Sequence, residues 1–420
     1  MLKRRSLQNF FSSPYLRNVG WLGSAELVNR ILRLGTTVTL ARSFSQEDYG
    51  LMAVIYTLLD FATVFTLRGG IGAKIIQAEA SEVGGICQTA YWLNWLLCGV
   101  VFLVQCLIAV PIAQFYQNDQ LILPICVAAL TYLMLPLYLV HSALIERENR
   151  LKITALCNAA QSLASNTLTI ILVIFGMKIW AIVWAMVLTT PIWIVITWRY
   201  QAWRPSSQPT FDRWREIVRF GGNLLGVQFL NKVQGNLDYL IIGRFLGLDA
   251  LGIYYFAFNA GLGISMNVIN TFMSALFPYI CQVRQDYQAF RQRYQSSLRK
   301  IALTVVPLIL LQALLAPIYV PIVFGARWIE AIPILILICL SVIPRIFSWA
   351  ASLLLNAIDR PQVSLYLELM FTIIFTISLL ISVPWGITGV AATVLIVHAL
   401  VLPIIASWSQ RYAFDQRFYP

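Results

Sequence analysis

Charge is scarce in this sequence. Only 11% of its 420 residues are Asp, Glu, Lys or Arg, less than half of the roughly one-quarter typical of soluble domains, which excludes an ordinary soluble protein. Histidine occurs twice, at 141 and 398, each inside an apolar run, so a histidine-based metal centre is not expected. The seven cysteines (87, 98, 106, 126, 157, 281, 339) form no CxxC pair and no metal spacing; they read as small buried hydrophobes. Polar stretches are short as well, which leaves no room for a large soluble domain.

What is present is apolar: 59% of residues and a mean hydropathy of +0.74. A bilayer crossing takes about 20 such residues, and the runs between charged or turn-rich breaks give twelve candidate spans. They are 19–42, 49–68, 87–110, 121–145, 153–175 and 179–199, then 219–246, 250–277, 301–324, 331–356, 363–383 and 386–408. Met1-Leu-Lys-Arg-Arg5 looks like the basic start of a signal peptide, but Ser6 to Pro14 supplies no apolar core and no cleavage site follows. Residues 1–18 are therefore expected to be a basic arm on the inner leaflet, where each Lys or Arg contributes ~1 kcal/mol.

The net charge of +12 does not point to nucleic acid, because the cations cluster between apolar runs. With the N-terminus inside, 22 Lys and Arg fall in cytoplasmic segments and four (Arg42, Lys178, Arg244, Arg327) outside. That bias predicts both termini in the cytoplasm. The domains follow: lobes 19–200 and 219–409, a linker 201–218 with Pro205 and Pro209, and a tail 410–420.

The lobes carry an internal repeat. At a shift of 202 residues, Val28-Asn-Arg30 falls on Leu230-Asn-Lys232, and Ala41-Arg-Ser-Phe44 on Gly243-Arg-Phe-Leu246. The same shift brings Glu47-Asp-Tyr-Gly50 onto Asp249-Ala-Leu-Gly252. At 210, Leu144-Ile145 falls on Leu354-Leu355 and Asn149-Arg150 on Asp359-Arg360. Six spans per half make the repeat parallel, about an axis along the membrane normal. The expected fold is an all-α integral membrane protein of twelve transmembrane helices in two six-helix lobes related by a pseudo-twofold.

Ionisable residues at bilayer depth cost a few kcal/mol each. Here they are Glu26, Arg30, Arg33, Asp60, Lys232, Asp238, Arg345 and Glu368. Glu26, Arg30 and Arg33 fall within about a 60° arc of one helix. Gln228, Asn231, Lys232 and Gly235 share a face of another, with Asp238 at its edge. Plain structural pairs, such as Glu26 with Arg30, are one reading. The preferred reading is a cation-lined cleft for an anion, because Arg30 and Lys232 are repeat-equivalent cations halfway along their helices. Arg33 and Arg345 are further candidates, and arginine's planar fork suits phosphate. Glu26, Asp60, Asp238 and Glu368 are candidates for binding a coupling proton or sodium ion. His141 and His398 read as packing residues.

The sequence resembles bacterial polysaccharide flippases of the MOP exporter superfamily, in the lipopolysaccharide and teichuronic acid exporter branch. Ala41-Arg-Ser-Phe-Ser-Gln-Glu-Asp-Tyr-Gly50, Gly70-Ile-Gly-Ala-Lys-Ile-Ile-Gln77, Ala143-Leu-Ile-Glu-Arg-Glu-Asn-Arg-Leu-Lys152 and Trp203-Arg-Pro205 carry the resemblance. The longest stretch runs from Phe220-Gly221 through Asn236-Leu-Asp-Tyr239 to Tyr254, and the last four spans match only in hydropathy and Asp359-Arg360-Pro361. The resemblance implies lobes in a V and alternating access in the bacterial inner membrane. It also implies a substrate, undecaprenyl-diphosphate-linked oligosaccharide, and as partners membrane lipids and the polysaccharide polymerase and export machinery. The diphosphate would meet Arg30, Lys232, Arg33 and Arg345; the glycan would lie among Asn29, Gln228, Asn231, Asn236 and Asn259. No cofactor and no enzymatic activity are expected, since a glycan polymerase or ligase needs an external catalytic loop. The rival reading is a multidrug antiporter of the same superfamily, which would want acidic cavity residues and few interior cations. A scaffold without transport is the remaining alternative.

Overall fold

The computed structural model describes residues 32–414, apart from the side chains of Phe220, Asn223, Leu224, Val227 and Ile264. The basic arm over 1–18 and the candidates Glu26, Asn29 and Arg30 lie outside the described residues. Helix α1 covers 32–43, α2 Gln46–Phe65, α3 Arg68–Gln77, α4 Val83–Tyr116, α5 Ile122–Arg147, α6 Leu151–Ile174, α7 Ile179–Thr189 and α8 Pro191–Tyr200. After the irregular segment 201–213 come α9 Trp214–Phe245, α10 Gly247–Cys281, α11 Tyr287–Tyr319, α12 Ala331–Ala357, α13 Pro361–Ser382 and α14 Gly386–Ala413. Helix is the expected solution, because in lipid each backbone polar group must be paired within its own segment.

By length and apolarity, eight helical stretches of the described residues can cross a bilayer, or nine with α10, which bends by 60° between Gly263 and Ser265. One of the eight, Pro361–Ala413, holds both α13 and α14 in 53 residues. Helix α9 is not among them; Gln228, Asn231, Lys232, Gln234, Asn236 and Asp238 dilute its apolarity. The chain is a multi-pass, helical membrane protein. One sequence expectation is corrected: the connection predicted over 278–300 ends at Asp286, and α11 starts there. The Asp286 carboxylate caps the helix by accepting from Ala289 N–H at 3.0 Å. Phe290 and Tyr294, four residues apart, are fully buried and pack on Phe414.

Two compact units form. Of the described residues, the first contains 32–44 and Val54–Val233; the second contains Ser45–Ala53 and 234–414. In the first, α5 packs against α4, α3, α7 and α8. In the second, α12 is central, against α14, α10 and α11. Ser45–Ala53 joins the second unit through Tyr49, which sits edge-on to Trp328 at 4.8 Å; Trp328 in turn stacks on Phe256 at 3.9 Å. A capping box starts α2, with Ser45 and Asp48 exchanging hydrogen bonds at 2.9 and 3.0 Å.

The repeat is legible in the backbone. Gly50 lies against the Leu248 carbonyl and Gly252 against the Gln46 carbonyl, so close that a Cβ on either would overlap it. At the 202 shift these two contacts are each other's equivalents. Near the 210 shift, left-handed residues recur in pairs: Asn149 (φ 56°) with Asp359 (58°), and Gly176 (76°) with Gly386 (68°). The hydrogen bonds recur too. Arg150 N–H donates to Ile145 O and Arg360 N–H to Leu355 O, each at 3.0 Å. These turns close α5 and α12 in the same way.

Candidate functional site

The polar residues on α9 fall into two neighbourhoods, one in each unit. In the first unit, α2 and α3 run along the N-terminal half of α9. Gly70 and Gly221 bring the backbones together, so that a Cβ on Gly70 would meet the Gly221 Cα at 2.5 Å. Phe229 fits between Phe61 and Phe65, with ring centroids 6.0 and 5.7 Å away. This register sets Lys232 beside Asp60, Nζ to Oδ2 2.8 Å, with the side chains 39% and 53% exposed. An ion pair this exposed would be costly if it faced lipid. Gln228 and Asn231 are exposed on the same helix, and Arg33 is exposed on α1.

In the second unit, Asp238 accepts from the Tyr254 hydroxyl at 2.8 Å and from the Tyr239 backbone N–H at 3.0 Å. The α9–α10 hairpin turns at Gly247 (φ 88°), which places 238 and 254 opposite each other. Asp238, Tyr254, Gln234, Ser341, Arg345 and His398 line a cavity of about 30 Å³, enough for a single water. The His398 ring donates from Nδ1 to the Ser341 carbonyl at 3.0 Å and lies against Phe371 and Phe375. His141 likewise packs, stacked on Trp198 and bonded through Nε2 to the Trp203 carbonyl at 3.1 Å.

The remaining candidates are spread out. Glu368 accepts from Ser352 at 3.0 Å and Ser364 at 3.4 Å, joining α13 to α12. Asn236 is buried, whereas Asn259 is exposed and donates to the Tyr255 carbonyl at 2.9 Å. All seven cysteines are unbonded thiols, four of them buried, and among the described residues no His, Cys, Asp and Glu cluster could hold a metal. Sequence reasoning gave no role to Tyr254, although its distance from Gly247 nearly mirrors that of Asp238.

Residues 39–333 match a family of proteins described as polysaccharide biosynthesis protein. The chain belongs to that family. The teichuronic acid biosynthesis protein TuaB of Bacillus subtilis is 25% identical over 357 residues, covering 83% of this chain and 73% of TuaB. Among solved structures, the lipid II flippase MurJ superposes with a TM-score of 0.75 at 13% identity, over 94% of this chain and 89% of its own. A multidrug resistance MATE family transporter of the MOP superfamily gives 0.74 at 13%, over 92% and 94%. The family member therefore has the MurJ and MATE fold, and that fold alone does not separate a lipid flippase from a multidrug resistance transporter.

Proposed function

We propose that the chain is a transporter that moves undecaprenyl-diphosphate-linked oligosaccharide from the inner to the outer leaflet of the bacterial cytoplasmic membrane, by alternating access, for surface polysaccharide export. The family membership supports the substrate class, and the exposed Lys232–Asp60 pair is the observation that carries the site. Lys232 is the primary diphosphate ligand. Asp60 holds that position until a more highly charged anion displaces it. Arg30 and Arg33 supply further cations on the first span, and Arg345 is the candidate from the second unit. Gln228, Asn231 and Asn259, exposed on their helices, are the candidates for contacting the glycan, together with Asn29 and Asn236.

Twelve spans, with both termini cytoplasmic, complete the reading. To the eight stretches that qualify by apolarity it adds the first span, α9, the bent α10 as one span, and a division of Pro361–Ala413 into two. Coupling to a proton or sodium ion is assigned to Asp238, whose carboxylate faces a water-sized cavity. Glu26, Asp60 and Glu368 are the alternatives. Lys232→Ala or Arg30→Ala in a cell making a surface glycan should abolish export at normal protein level; unchanged export would remove these residues from the mechanism.

The MATE likeness favours a second reading, organic-cation antiport. Saturable binding of organic cations by the purified protein, with none of lipid diphosphates, would replace the first proposal by this one.

A further inference from the structure

A second cavity lies in neither polar neighbourhood. It is an open groove of about 620 Å³ in the second unit, walled by α11, α12 and α14. Arg291 and Arg411 stand on the first turns of α11 and the last turn of α14, with Gln295 and Gln410 beside them. Pro344, Phe347 and Pro403 line the part that lies within the helices. Along α14 the groove runs from Arg411 to Pro403, ~12 Å at 1.5 Å per residue. Among the described residues no carboxylate lines it. Arg291 lies 5.8 Å from the Phe414 ring centroid, and among the described residues no ion pair involves Arg291 or Arg411. The groove thus carries cations at one end and apolar walls along its length.

We infer that this groove is a binding site for an anionic phospholipid of the inner leaflet, its phosphodiester on Arg291 and Arg411 and an acyl chain along Phe347, Pro344 and Pro403. Three features select this occupant. A phosphodiester matches the forked donors of arginine. The apolar walls match a hydrocarbon chain continuous with the bilayer. The cation-rich end of α11, with Arg293, Arg299 and Lys300 nearby, is cytoplasmic by the distribution of charge along the chain, which is the leaflet where anionic head groups meet basic residues. The site does not depend on the transported substrate, since none of its residues belongs to the Lys232 or Asp238 neighbourhoods.

Native mass spectrometry of the full chain in detergent, titrated with phosphatidylglycerol, phosphatidylcholine and soluble glycerol 3-phosphate, tests the assignment. The wild-type chain should retain one phosphatidylglycerol in preference to phosphatidylcholine. Arg291→Gln with Arg411→Gln should weaken that adduct at least about tenfold, with helix content unchanged by circular dichroism. Phe347→Trp, which fills the groove and leaves both charges, should also lose it. Arg299→Gln with Lys300→Gln, on exposed positions outside the groove, should keep it. Equal retention of the two lipids, or equal loss in the Arg299 and Lys300 variant, would overturn the site in favour of diffuse surface charge. Glycerol 3-phosphate binding as tightly as the lipid would overturn it in favour of a free-anion site. A chain dimer dispersed by the double variant would assign the groove to a second copy. Stronger, lipid-unselective binding after removal of residues 415–420 would assign it to the chain's own tail.

Discussion

The Lys232–Asp60 pair makes a prediction with a definite sign. If Lys232 binds a diphosphate, Asp60 competes with the substrate, and removing its charge should tighten binding. The pair is 2.8 Å apart and both side chains are more than one-third exposed, so its own strength is that of a screened pair, about 0.2–1 kcal/mol. Asp60→Asn should therefore improve lipid-diphosphate affinity by about 1.4- to 5-fold. Lys232→Ala removes a hydrogen bond to a charged group, worth about 1.5–3 kcal/mol, and should weaken binding by about 10- to 150-fold. In the Lys232→Ala background Asp60→Asn should give no gain, because there is no cation left to release. The cycle is therefore non-additive in a stated direction. The assay is equilibrium binding of undecaprenyl diphosphate to purified protein in detergent, with the four chains compared at matched helix content. If Asp60→Asn weakens binding as much as Lys232→Ala does, the two residues are a structural unit and the competition mechanism is wrong.

Two further outcomes follow from contacts away from that site. Gly252→Ala places a Cβ against the Gln46 carbonyl and the Gly50 backbone nitrogen; neither is a side chain that can rotate away, so the cost is that of overpacking, about 1–3 kcal/mol, or ~1–3 °C in thermal midpoint. Gly99→Ala, with no atom within 4 Å of the new Cβ, should not lower the midpoint, and equal midpoints for the two variants would contradict the packing at Gly252. Glu216, ahead of the apolar part of α9, is bonded to Lys74 at 2.5 Å, and that hydrogen bond, aided by the charges of Lys74 and Arg213, holds its carboxyl below the ordinary carboxylate value. Because the folded-state value is the lower one, the stabilisation is present above the unfolded-state value of about 4.5 and is lost as pH falls through the folded-state value. Lys74→Gln should be less stable than wild type at neutral pH and converge with it in acid, as measured by chemical denaturation at a series of pH values; a gap that persists at low pH would assign the effect to packing.

The legible part of this fold is what periodic apolarity and turn chemistry encode locally. Asn149 and Asp359 are the residue types that tolerate a left-handed turn, so the match at a shift of 210 marks two real helix ends from sequence alone. Gly50 and Gly252 align at 202 because the two contacts they make need the same absence of a side chain. The start of α11 escapes such a reading for a physical reason as well. Tyr287 to Lys300 is rich in Arg, Gln and Ser, so hydropathy reads it as a connection, whereas the helix there is held by Phe290 and Tyr294 on one face and by the Asp286 cap.

The pairings of the candidate acids were not directly legible in the sequence. Asp60 and Asp238 looked alike as isolated acids in apolar runs, yet one faces a lysine 172 positions away and the other a tyrosine 16 positions away. The second pairing follows from a hairpin with a glycine turn and could have been read from the spacing. The first depends on how α2 and α3 run along α9, which is set by the close approach at Gly70 and Gly221 and by the Phe61, Phe65 and Phe229 cluster. That difference in origin gives the two acids different constraints. Asp238 has its hydrogen bonds fixed by neighbours in its own hairpin, including a backbone N–H. Asp60 meets Lys232 across a helix–helix seam, through two exposed side chains, and can be exchanged for another anion. On the function proposed above, Asp238 would hold the coupling ion and Asp60 would yield its cation to a diphosphate.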